Sequence, residues 1–175
     1  RFCLSCGRVS AFGSGHLLVS TPDCQIGYPP MRSMGVDMLW FPWNLPMRKA
    51  LELAVTGDNI TGEEAYRLGM VNYCIDSEDI DDFTRVFAER IALMNWQLAT
   101  QYKRATKKAY EIQGIRTALD QQAQYTYHRV AESDYGREMS EKFGTIGLKD
   151  YFKLRDDPYR ENKERMDKIL SRQDR

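Results

Sequence analysis

The residues best suited to chemistry lie in the first quarter of the chain. Gly13-Ser14-Gly15 precedes the apolar stretch that runs to Ser20, as happens where a strand turns sharply into a helix and bares backbone NH groups that can hold an oxyanion or a phosphate. A lone G-x-G also serves backbone geometry alone, so both readings stand at this point. His16, beside the turn, can carry a proton near neutral pH. Gln25-Ile-Gly-Tyr-Pro-Pro-Met-Arg32 follows. Its two prolines forbid a regular ladder and predict a rigid, extended loop that holds side chains such as Tyr28 and Arg32 in fixed directions. The Arg32 guanidinium suits a substrate carboxylate or phosphate taken by two parallel hydrogen bonds. Met38 to Trp43 is aromatic and interrupted by proline, and its side chains, Trp40 among them, fill either a core or a pocket wall.

Other candidates weigh less. Cys3-Leu-Ser-Cys6 has half the spacing of a zinc or redox site, and no second CxxC completes it, so ordinary thiols and no metal are expected among the four cysteines. His128 has no ligand partners at evident spacing and reads as a packed or surface imidazole. Lys103, Arg104, Lys107 and Lys108 form a solvated helix face or a patch for phosphate or RNA. Against RNA stands the balance of 25 cationic and 25 anionic side chains, zero formal charge, which gives the whole molecule no bias toward nucleic acid or anionic lipid. No apolar run approaches the roughly 20 residues of a bilayer span, and Arg1-Phe2-Cys3 does not begin a signal peptide. A soluble, cytoplasmic protein is the expectation. The 175 residues fit one domain or a core with an appendage, and the opening without Met suggests a piece of something longer.

The elements that must position these residues are clearest between Ala50 and Asn72. Ala50, Leu53 and Ala54 recur at helical spacing, and Gly57-Asp58 ends that helix at a residue able to take positive φ. Thr61 stands three residues before Glu64, the capping-box spacing, so a helix starts at about Gly62. Gly69 closes it, and Met70 to Ile75 has the content of a short buried strand. Ser77 reads as the N-cap of a further helix whose Ile80, Phe83, Phe87, Ile91 and Met94 form one buried face. Trp96 to Gln113 buries Leu98, Tyr102, Ala105, Ala109 and Ile112 by the same rule, Gly114 ends it, and Ile115, Leu119, Ala123, Thr126 and Val130 continue the period. From Ser133 the chain turns more polar. Leu148 to Pro158 predicts a single amphipathic turn with Leu148, Tyr151, Phe152 and Leu154, followed by a charged peripheral tail.

Taken together, Gly13-Ser-Gly15, Gln25 to Pro30, Ala50 to Asn72 and Gly147 to Tyr159 occur in an order that resembles the enoyl-CoA hydratase, or crotonase, superfamily. The long pattern Ala-x-Glu-Leu-x-x-Thr-Gly-Asp-x-Ile-Thr-x-x-Glu-Ala-x-x-x-Gly-x-Val carries most of the likeness. The resemblance implies an α/β fold: residues 1–76 as the C-terminal part of a crotonase βαβ spiral and 77–175 as a helical oligomerisation region, with the front of the domain missing. It implies an acyl-CoA thioester, enoyl-CoA by default, as substrate, with coenzyme A entering only as part of that thioester and no separate cofactor. The thioester's enolate would be held by backbone NH groups at Ser14 and Gly15. A homotrimer or dimer of trimers is implied as well.

This chain departs from the family pattern where that pattern puts two glutamates. Those positions correspond to Leu17 and Pro30, which puts the two-glutamate mechanism in doubt and leaves isomerisation, hydrolysis or decarboxylation of another acyl-CoA open. An inactive assembly subunit and an RNA-binding relative are the further alternatives. Asp37, near a position where some family isomerases carry an aspartate, is the first candidate acid or base, set against Trp40, with His16 second. Arg155 matches the arginine of a Lys-Arg pair that meets CoA phosphates, and Lys153 stands in for the lysine that Leu154 replaces. Between the turn and the Pro loop the chain is about seven residues shorter than the family pattern, too short for the usual helix and strand. A deletion or missing residues would account for it.

Overall fold

A computed structural model describes residues 17–33 and 41–172, apart from the side chains at 123 and 127–129. Four two-residue strands make two small ladders: β1 (Val19–Ser20) pairs in parallel with β4 (Tyr73–Cys74), and β2 (Gln25–Ile26) pairs antiparallel with β3 (Ile60–Thr61). The shortened stretch between β1 and β2 is closed by a tight turn in which the Cys24 NH donates to the Thr21 carbonyl at 3.1 Å. One reversal therefore sends the chain from the first ladder to the second.

The Pro loop folds into a single 3-10 turn, Pro29–Arg32, and leads to a short helix α1 (Phe41–Asn44) and then α2 (Met47–Thr56). Helix α2 ends as its sequence demands, with Gly57 at φ 64°, where a Cβ costs an L-residue about 1–2 kcal/mol. Ala50 and Leu53 face the core, whereas Ala54 is exposed and Met47, Leu51 and Val55 form an outward stripe. Helix α3 (Gly62–Arg67) starts at the Thr61 cap, whose hydroxyl accepts from the Glu64 NH at 3.1 Å. The Glu64 carboxylate meets Lys49 at 3.0 Å, so an ion pair between α2 and α3 occupies the partner that a full capping box would use. Burial alone would lower the Lys49 pKa, but hydrogen bonds to Glu52 and Glu64 outweigh it and hold the ammonium above its usual value. Gly69, at φ 75°, turns the chain into Met70 and Val71, both buried, and only Tyr73–Cys74 of the expected strand pairs.

These segments enclose one core: Ile26, Phe41, Leu45, Ala50, Leu53, Ile60, Ala65, Met70 and Val71, with Leu18, Tyr28 and Met31 packed on its edge. The helices that follow are built differently. Helix α4 (Ile80–Ala92) begins after Asp79, which makes no side-chain cap, rather than at Ser77. Its Phe83 and Phe87 rings pack edge-on against Tyr73 at 4.9 and 5.0 Å, but Ile91 and Met94 are exposed and nothing in the helix is fully buried. Helix α5 (Trp96–Ile112) is capped by Asn95, whose side chain accepts from the Gln97 and Leu98 NH groups. Its apolar stripe is open, with Leu98 56 % and Ile112 78 % exposed, so the expected burial is absent within one chain. Helix α6 (Ile115–Gln124) follows Gly114 and runs into a π-helical turn, Tyr125–Val130.

Helix α7 (Asp134–Thr145) is capped by Ser133, and α8 (Leu148–Leu170) continues for 23 residues straight through Pro158. The expected single turn and charged tail are thus one long helix. Proline removes one backbone donor and crowds the preceding turn. Tyr151 and Arg155, both buried, anchor the first half, and the Phe143 ring meets Tyr151 edge-on at 5.1 Å. No helix among the described residues is long and apolar enough to cross a membrane.

Candidate functional site

Several sequence candidates lie outside the described residues: Ser14, Gly15, His16, Asp37 and Trp40, together with Cys3 and Cys6. The described wall of the candidate site is the Pro loop. Tyr28 opens it, half-buried against the core, and its carbonyl accepts from the Met31 NH at 3.1 Å. Pro30 sits inside the 3-10 turn, with its carbonyl receiving the Ser33 NH at 3.0 Å. No carboxylate stands at that position, and the exposed Leu17 supplies none at the other. Gly27 packs so tightly on the Thr-Gly-Asp turn that a Cβ would lie 2.1 Å from Asn59 Oδ1 and 2.7 Å from the Asp58 carbonyl. The loop and the turn are therefore in direct backbone contact.

Arg32 is held where a ligand anion was expected to find an open cation. Its Nε donates to the Thr56 carbonyl at 2.6 Å, Nη2 to Asp58 at 2.8 Å and Nη1 to Asp156 at 3.2 Å, and its plane lies 4.4 Å over the Tyr159 ring. Its side chain is only 10 % exposed. An incoming phosphate or carboxylate would have to displace one of these carboxylates. The Tyr135 hydroxyl donates to the Arg32 carbonyl, and burial pushes that phenol's pKa up.

Arg155 is likewise turned inward, buried, with Nε and Nη2 donating in parallel to the two oxygens of Asp156 at 2.8 Å each. Burial would raise the Asp156 pKa, but the hydrogen bonds and charges of Arg155 and Arg32 outweigh it and hold it below the usual carboxylate value. Of the expected pair for CoA phosphates, only Lys153 points to solvent, 3.8 Å from Asp150. The signal that could have revealed these ties is the Arg-Asp-Asp run at 155–157, which reads equally well as a charged surface.

Beside this cluster a shallow groove of about 310 Å³ runs between the Thr-Gly-Asp turn and the second half of α8, lined by Thr56, Asp58, Tyr159, Asn162 and Lys163 among others. Lys163 lies 3.7 Å from Asp58, so the charges at its edge answer each other. The cations Lys103, Arg104, Lys107 and Lys108 are all exposed on α5, with Lys108 paired to Glu111 at 3.2 Å. Burial pushes the Cys74 pKa up, away from the reactive thiolate. Among the described residues no group of three His, Cys, Asp or Glu side chains comes together to hold a metal.

Paired short strands with a capped helix–turn–helix core, followed by a string of long helices, define a partial α/β spiral with a helical extension, the crotonase arrangement. The solved enoyl-CoA hydratase of Mycobacterium smegmatis matches it with a TM-score of 0.75 at 28% identity, over 82% of this chain and 49% of the other. An enoyl-CoA hydratase/isomerase from Xanthobacter autotrophicus Py2 matches with a TM-score of 0.69 at 25% identity, over 82% of this chain and 54% of its own. The family model described as enoyl-CoA hydratase/isomerase matches residues 10–145, and the chain belongs to that family. EchA13 of Mycobacterium tuberculosis, whose name places it with the enoyl-CoA hydratases, is 31% identical over 121 residues, 67% of this chain and 37% of that protein. The chain therefore spans about half or less of the length of these relatives.

Proposed function

We propose that this chain is part of an acyl-CoA thioester-processing enzyme whose reaction is hydration of a trans-2-enoyl-CoA. The observation that carries the reading is the family match across residues 10–145, which takes in the glycine turn, the Pro loop and the Thr-Gly-Asp segment together. In such a reaction the water oxygen bonds to the β-carbon and the π electrons move onto the thioester oxygen. Backbone NH groups at Ser14 and Gly15 are assigned to hold that developing charge, where preorganised donors act most strongly. Asp37 is assigned to take the water's proton and His16 to assist its return to the α-carbon. Tyr28 lines the substrate side of the Pro loop, and Lys153, the one exposed cation of the expected phosphate pair, is assigned to CoA.

Three or six copies complete the assembly in this reading. What supports it is the row of exposed apolar residues from the end of α4 through α5, with Leu93 87 % and Trp96 72 % exposed. The protein would work in the cytoplasm without a metal or separate cofactor. A second reading is favoured by Leu17 and Pro30: with both classical glutamate positions empty of acid, the same fold would isomerise, hydrolyse or decarboxylate a different acyl-CoA, or serve only as an assembly subunit.

The test is an assay of short and medium trans-2-enoyl-CoAs, following loss of the conjugated thioester absorbance. Turnover that falls at least about a hundredfold in Asp37→Asn supports the reading, in the range expected for removing a general acid or base. Tight acyl-CoA binding without hydration replaces it with the second reading. Full activity in both Asp37→Asn and His16→Ala removes the assigned acids.

A further inference from the structure

The Pro loop is held at its start by Gly27 on the Thr-Gly-Asp turn and by Tyr28 and Met31 on the core edge. Pro29 and Pro30 lack NH donors, and two internal backbone bonds, Met31 NH to the Tyr28 carbonyl and Ser33 NH to the Pro30 carbonyl, shape the 3-10 turn. At its far end Arg32 adds ties from several directions at once. A guanidinium presents five donors in a fixed fork, so carboxylates and a carbonyl meeting three of its edges define its orientation as well as its position. Here those groups come from the end of α2, the Thr-Gly-Asp turn and α8, while Tyr159 covers the face and Tyr135 of α7 holds the backbone carbonyl. Gly57 completes the fit: its missing Cβ leaves the space occupied by the Arg32 stem, whose Cγ would lie 2.9 Å away. The contact between Arg32 and Asp156 spans 124 residues of sequence.

We infer that Arg32 is a positioning residue, through which helix α8 and the Thr-Gly-Asp turn fix the conformation of the Pro loop from Gly27 to Ser33. Charge balance supports the role. Asp156 is shared between Arg155 and Arg32, and Asp58 between Arg32 and Lys163, so cations and anions alternate along the cluster. Losing Asp156 leaves the buried Arg155 without its carboxylate and takes one of the two carboxylates from Arg32, so the ties of the cluster depend on one another. A lysine at position 32 keeps the charge but cannot meet three edges and a ring face together. The loop's consequence for turnover rests on the acyl-CoA reading above, whereas its position does not.

Hydrogen exchange on the full chain separates the two. Asp156→Asn and Tyr159→Leu, both on α8, are expected to speed exchange at the Met31 and Ser33 amides by about threefold or more, while Met70, hydrogen-bonded to Ala65 in the core, keeps its rate. Arg32→Lys is expected to loosen the same two amides. Unchanged Met31 and Ser33 in both α8 variants would overturn the inference, as would an equal rise at Met70, which would mean general destabilisation. With a short trans-2-enoyl-CoA, the loosened variants should lose kcat with KM held within about twofold. A loosened loop with kcat intact would remove the positioning role, and a wild type that turns over no thioester would defeat the functional reading while the exchange data still decide the clamp.

Discussion

Residues 41–76 and residues 80–130 follow the same rule of apolar spacing and end in different places. In the first stretch, Ala50, Leu53, Ala65, Met70 and Val71 share one core with Ile26 and Ile60 from the ladders, so periodicity becomes burial within the chain. In the second, Leu98, Tyr102 and Ile112 keep an equally regular stripe and remain open. The difference is one of partners rather than pattern. Helix α2 finds the Pro loop and α1 against its inner face, whereas α5 meets α1 edge-on at Tyr110, whose ring stands 6.4 Å from Trp43. An amphipathic face states that something covers it, without stating what.

The sharpest way to break this comparison is a matched pair of truncations. Leu53→Ala, at a side chain 2 % exposed, should cost about 2–5 kcal/mol in urea unfolding, the range for emptying a packed site. Leu98→Ala should change the unfolding of a dissociated chain by less than about 0.5 kcal/mol, as surface substitutions do, and act only on association. Equal costs would erase the distinction.

Gly57→Ala should cost less than the core truncation, about 1–2 kcal/mol for the left-handed backbone, with any displacement of Arg32 added to it. Circular dichroism melts should move this variant down, whereas Gly144→Ala, inside α7 where a Cβ meets nothing, should move up by helix propensity.

The smallest effect concerns acid. The Asp156 pKa is lowered in the folded chain, so its contribution to stability is full above its ordinary value of 3.8 and is lost as pH falls through the lower folded value. Arg155 and Arg32 meet this carboxylate directly, and Asp58 and Tyr159 meet Arg32 in turn. Melting temperatures of the wild type and Asp156→Asn should therefore converge below about pH 4 and separate above it.

The sequence was most legible where the signal is local. Gly57, Thr61 and Gly69 each do within a few residues what their types predict, and the helix–turn–helix from Met47 to Arg67 follows from them. Legibility failed where the deciding partner is distant. Pro158 and the dense charges after it read as the end of structure, yet Tyr151 and Arg155 bury and Asp156 reaches Arg32, so tertiary contacts carry the helix across its weakest local position. Arg32 and Arg155 looked like ligand cations for the same reason: residue type gives a guanidinium's preference for carboxylates and leaves open whose carboxylate it meets. The fold class and family were carried by a long pattern of fixed positions, while the proton-transfer residues were carried by single positions, Asp37 and His16, that lie outside the described residues.

The division between a self-covered core and an uncovered helical region is most directly tested by the mass of the protein in solution. Light scattering on the purified chain should give three or six times 20.4 kDa, and Leu98→Ala or Trp96→Ala should lower it without unfolding the core. A stable, well-folded monomer at the same concentration, unchanged by either substitution, would contradict the account.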